Sequence, residues 1–129
     1  MDREGIIKMI EGRCAAVIGD EGTRRRELAA ALLNDRVATP YIRRMIEAEG
    51  EAKPYRRILT RQRNDGLALD ESLRAERQNC LTILTKDGEP SHGDGVDAAI
   101  AYAQRAGCRA FLSWSASIEG RLDHVDAQS

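Results

Sequence analysis

Apolar side chains recur at three- and four-residue intervals near the start of the chain, at Ile6, Ile7, Ile10, Cys14, Val17 and Ile18. That spacing puts them on one helical face and predicts an amphipathic helix over 3–18, although Gly12 weakens it by about 1 kcal/mol relative to alanine. The Val-Ile pair with the glycines after it also suits a short strand entering a loop. Gly19 and Gly22 read as the end of the element and Thr23 as a cap for a second helix over 24–34, with Leu28, Ala29, Leu32 and Leu33 inward. Thr39 followed by Pro40 is a strong start signal, since a hydroxyl can cap free amides and proline fits the first turn. The third helix therefore begins at Pro40, turns Tyr41, Ile42, Met45 and Ile46 inward, leaves Arg43, Arg44 and Glu47 outward, and stops at Gly50.

Beyond Pro54 the pattern shifts. Asp65-Gly66 between two short apolar-containing runs is a β-hairpin cue, because tight hairpin turns need positive φ at both central residues; a helix over 54–63 is the alternative. Leu69, Leu73, Cys80, Leu81 and Leu84 could stripe a helix, yet "NCLTILT" also reads as a strand. A loop, a helix from Gly95 with Asp94 as its cap and Gly107 as its stop, and a strand at "CRAFLSWS" would complete a parallel crossover unit over 79–115. The expected fold is thus α+β: an N-terminal helical unit over 1–68, a small α/β or helical part over 69–118, and a flexible polar tail over 119–129.

Composition narrows this picture. Of 129 residues 42% are hydrophobic but only 4% aromatic, so the core must be built from aliphatic side chains and alanine, which favours helices over a β-sandwich. Cys14, Cys80 and Cys108 are too few and too widely spaced for a disulfide framework or a structural zinc site. The first residues lack a basic region followed by a long apolar run, and no window holds 18 uninterrupted apolar residues. A cytoplasmic location without a membrane span is expected.

Charge adds a functional cue. The net charge is -1, but residues 23–63 carry 11 Lys and Arg against 5 Asp and Glu, a concentration that can attract a polyanion. Within it, "ELAAALLNDRVATPYIRRMIEAEG" resembles the winged helix-turn-helix of MarR-type regulators, through Glu27 to Ala29, the Leu32-Leu33 pair, the Asp35-Arg36 turn, and the closing Glu47, Ala48 and Gly50. The resemblance implies a winged helix-turn-helix fold, a transcription-regulatory role on duplex DNA, and a β-hairpin wing over the run ending Arg61, Arg63, Asn64, Asp65 and Gly66. Arg36, Thr39, Arg43, Arg44, Arg56, Arg57, Arg61 and Arg63 are the expected DNA contacts.

Two other readings compete. The helices could serve a non-enzymatic protein interaction module, with a homodimer allowed; or Cys80 could be a nucleophile served by His92. Catalysis is not expected, since no orienting third group accompanies that pair, and a buried structural cysteine is the commoner case. His92, Asp94 and Asp97 are too few to imply a metal. The "GDG" at 93–95 lacks the Lys and Ser/Thr of a phosphate loop. No cofactor is expected, and Trp114 beside Phe111 reads as a core anchor.

Overall fold

The computed structural model describes residues 2–86 and 95–128. Four helices account for nearly all of them: α1 (Arg3–Leu33), α2 (Thr39–Asp65), α3 (Leu69–Lys86) and α4 (Val96–Gln128). The described residues contain no strand, so the expected α+β class, the wing and the C-terminal α/β part are all replaced by an all-α bundle.

Each departure has a local cause. α1 starts where expected, with Asp2 accepting a 2.8 Å hydrogen bond from the Gly5 amide. It then continues through Gly19 and Gly22, because glycine removes only about 1 kcal/mol per position while tertiary packing supplies most of a helix's stability. Thr23 does not cap; its hydroxyl donates back to the Gly19 carbonyl at 3.2 Å. The stop comes at Asn34, with Asp35 at φ 53° and the Arg36 amide reaching back to the Ala31 carbonyl at 3.0 Å, a Schellman closure.

α2 begins at the expected Thr-Pro pair, with Ala38 in the capping position and no side-chain cap. It runs past both Gly50 and Pro54. Of the two positive φ values a hairpin would need at Asp65-Gly66, only Gly66 has one (φ 69°), and it ends α2 in the left-handed conformation. "NCLTILT" lies within α3, and "CRAFLSWS" and the expected tail as far as Gln128 lie within α4. Arg105 donates to the Ile83 and Leu84 carbonyls at 3.2 Å each, so α4 supplies the partners for the last turn of α3.

The helices alternate in direction. Arg3 and Asp70, at the starts of α1 and α3, meet in a bidentate pair at 2.7 and 3.2 Å; Arg74 early in α3 reaches Glu119, Asp123 and Asp126 late in α4. α2 and α4 consequently run parallel, and they approach closely at Gly50, Ala103 and Gly107. A Cβ on Gly50 would strike the Ala103 carbonyl, and one on Gly107 would strike the Gly50 carbonyl. Pro54 explains which carbonyl is available: it has no N–H to give to residue i−4, which is Gly50. The Gly50 oxygen is left facing the Gly107 Cα.

The core is uneven along the bundle. At the end holding the α2–α3 turn, Ile6, Ile10, Val17, Tyr55, Ile58, Leu73, Phe111, Ile118 and Leu122 are buried together. Tyr55 meets Phe111 edge-on with centroids 5.3 Å apart, and Trp114, only half-buried, packs against the core at its edge with its ring 5.7 Å from that of Tyr55. Towards the α1–α2 turn the buried apolar residues are Ala31, Met45, Ala48 and Ala103.

Two predictions follow from this packing. Gly107→Ala should destabilise the chain by about 2–3 kcal/mol or more, while Gly19→Ala, whose new methyl meets nothing, should add about 0.5–1 kcal/mol; urea unfolding of the two variants provides the comparison. The second concerns pH. Burial alone would raise the Asp70 carboxyl, but the hydrogen bond and charge of Arg3 outweigh it and hold it below its ordinary value, about 3.9 for aspartate. A depressed carboxylate stabilises above its unfolded pKa and loses that contribution as pH falls through its folded pKa. Arg3→Ala should therefore lower the melting temperature most at pH 7, with the difference from the parent shrinking below about pH 4.

Candidate interaction surface

The arginines of α2 separate into two groups. Arg56 is held by Glu21 of α1, with its Nε 3.2 Å from one carboxylate oxygen and its Nη2 hydrogen-bonded to the other; Arg25 adds a 3.3 Å contact. Arg57 and Arg61 both donate to Glu76 of α3, at 2.8 and 2.7 Å. Glu21 is 1% exposed and Glu76 is fully buried. A buried carboxylate without a counter-charge would cost several kcal/mol. These three arginines therefore act as internal counter-ions, pinning α2 to α1 and to α3.

Arg36, Thr39, Arg43 and Arg44 are exposed, and all belong to the α1–α2 turn or the first turns of α2. Arg44 lies over the Tyr41 ring at 5.5 Å. Arg63 is exposed too, but it sits near the far end of α2, so the eight expected contacts do not share one face.

The apolar expectations shift in the same region. Met45 and Ala48 are buried, Tyr41 and Ile46 half-buried, while Ile42 points largely outward. Leu32 and Leu33, read as core, are exposed, Leu33 at 85%, and Val37 between the helices is 76% exposed. Leu81, Val96, Ile100 and Tyr102 are the remaining large exposed apolar side chains among the described residues. They lie near the end of α3 and the start of α4. In an alternating bundle those positions, the end of α1 and the start of α2 occupy one end, so every large exposed apolar group lies on the lean half of the molecule. A shallow cleft between α2 and α4 there is lined by Ile46, Glu49, Gly50, Lys53, Ile100 and Gln104.

Among the described residues the catalytic candidates are not brought together. Cys80 is buried; His92 and Asp94 lie outside the described residues, and Asp97 is exposed in the first turn of α4. The described residues hold no group of three or more His, Cys, Asp or Glu able to bind a metal, and none of their helices is long and apolar enough to cross a membrane. Burial pushes the Cys14 thiol up to about 11, away from reactivity at neutral pH. The chain matches no family model, no curated protein and no solved structure.

Sequence reasoning missed Glu21 and Glu76, although a signal existed. Ile10, Cys14, Val17 and Glu21 are spaced 4, 3 and 4, as are Leu69, Leu73, Glu76 and Cys80; each glutamate sits on an apolar stripe, where only a paired charge is tolerated. Glu76→Gln should accordingly lower stability by about 1–3 kcal/mol in denaturant unfolding, whereas Glu27→Gln, which loses only a half-exposed pair with Arg24, should change it by less than about 0.5 kcal/mol.

Proposed function

We propose that this chain is a non-enzymatic interaction module whose α1–α2 end receives an acidic, amphipathic helix of a protein partner. The observation that carries the reading is the grouping of Leu32, Leu33, Val37 and Ile42, all exposed, with the exposed Arg36, Arg43 and Arg44. Clustered exposed apolar side chains rimmed by one sign of charge suit a partner with an apolar stripe and the opposite charge. Phosphate backbones need the arginines but gain nothing from the leucines, so duplex DNA explains half of the cluster. A second copy docking end to end would set the same three arginines against themselves.

The test uses a fluorescent helical peptide with leucines at i, i+3, i+4 and i+7 and glutamates elsewhere, titrated with the full chain. Saturable binding is expected, weakened about tenfold or more by Leu33→Ser with Val37→Ser and separately by Arg43→Ala with Arg44→Ala, with unchanged melting temperatures. Equal binding of a peptide whose leucines are replaced by serine overturns the proposal, as does tighter, salt-dependent retention of a random DNA duplex through Arg43 and Arg44, or concentration-dependent dimerisation lost in the Leu33→Ser, Val37→Ser variant.

A further inference from the structure

The half-buried arginines of the described residues are Arg13, Arg24, Arg57, Arg61, Arg74 and Arg77. All but Arg13 have a carboxylate oxygen within 4.0 Å. Arg13 lies on α1 beside Tyr55 of α2 and Trp114 of α4, where α1 and α4 pack less extensively than any other two helices. Its Nε donates to the Tyr55 hydroxyl at 3.2 Å. Its guanidinium carbon stands 5.7 Å from the centroid of the Tyr55 ring and 5.5 Å from that of Trp114. The hydroxyl that takes the Nε bond is a neutral group, since burial raises the Tyr55 phenol against the hydrogen bond and charge of Arg13. Glu51 is sensed by that phenol and Glu11 by the Cys14 thiol, but neither forms an ion pair with Arg13.

Arg13 is held in place all the same. One hydrogen bond and two aromatic faces restrict its guanidinium. Its terminal nitrogens make no hydrogen bond within the described residues and are reached by solvent. The seam around it is soft rather than acidic: Arg121 crosses from α4 with its Nη1 3.2 Å from the Met9 sulfur. A cation half removed from water, immobilised and given no counter-ion by its own chain is prepared for an anion from outside.

We propose that Arg13, seated on Tyr55 and Trp114, binds one carboxylate of an apolar acid end-on through its terminal nitrogens. The chemistry selects the ligand. A planar carboxylate matches the parallel N–H groups of a guanidinium and gains two charge-assisted hydrogen bonds. One positive charge balances a monoanion, whereas a phosphate dianion would call for further donors. The half-buried Trp114 and Met9 beside the guanidinium favour an acid that carries hydrocarbon. Such a carboxylate comes from a small apolar acid or from the free end of a peptide. The site lies on the aromatic half of the bundle, away from the α1–α2 end, and is independent of the partner proposed there.

Trp114 is the single tryptophan of the chain, so its fluorescence reports on the site directly. The full chain is titrated at constant ionic strength with hexanoate, with hexanamide, and with a short leucine peptide as its free acid and as its terminal amide, and calorimetry gives the stoichiometry. A saturable change with an acid, at one site per chain, is expected. Binding should weaken about tenfold or more in Arg13→Ala and about fivefold in Arg13→Lys, which keeps the charge but loses the fork; the lysine variant carries the comparison if the alanine variant does not fold. Arg26→Ala, which removes an exposed guanidinium bonded to Thr23, should bind like the parent. Tighter binding of the peptide acid names a chain terminus as the source, and tighter binding of hexanoate a small acid. An equal response to the uncharged amides, undiminished binding in the Arg13 variants, or no saturable response to either acid overturns the proposal.

Discussion

The approach of α2 to α4 is the constraint on which the other packing rests. It depends on three residues acting together: Gly50 and Gly107 remove the side chains that would hold the helices apart, and Pro54 withholds the hydrogen bond that would otherwise occupy the Gly50 carbonyl. With the backbones in contact, Tyr55 lands on Phe111 and Trp114 one turn further along. Arg57 is carried into reach of Glu76. Each helix of the bundle is thus referred to a single crossing point where backbone, rather than side-chain volume, sets the distance.

Charge performs the same service for the other interfaces. Glu21 and Glu76 interrupt otherwise apolar stripes, and each takes two arginines from elsewhere in the chain or its own helix. A shift of either helix by one turn would strand a carboxylate among hydrocarbon, so these pairs specify register more than they add stability. The arginine content of residues 23–63 accordingly has two uses. Part of it is internal, and only the part near the α1–α2 turn remains on the surface.

The starts of α1 and α2 were legible in the sequence, whereas the starts expected at Thr23 and Pro54 fall inside those helices. The Thr39-Pro40 pair marks a real start, and Gly66 a real boundary of another kind than the expected hairpin, because both act through local backbone chemistry. Gly19, Gly22 and Gly50 carry the same residue type without ending anything, since neighbouring helices stabilise the backbone there. The strand readings at "NCLTILT" and "CRAFLSWS" failed for a related reason: β-branched content describes a preference of about 1 kcal/mol, which four long packed helices override. The exposed arginines of the candidate surface were legible as charge. Leu32 and Leu33 were read as core because periodicity reveals a stripe without revealing whether anything lies against it.

The uneven core gives the molecule an uneven resistance to opening. Alanines and a methionine bury far less hydrocarbon than the isoleucine, leucine and aromatic layer at the other end, so excursions that separate the last turns of α1 from the first turns of α2 need not disturb the rest. Amide hydrogens would then report two populations within single continuous helices, fast-exchanging towards the α1–α2 turn and protected towards the α2–α3 turn. A ligand settling on the lean end would draw on that reserve of motion, and the entropy lost in ordering it would set an upper limit on affinity.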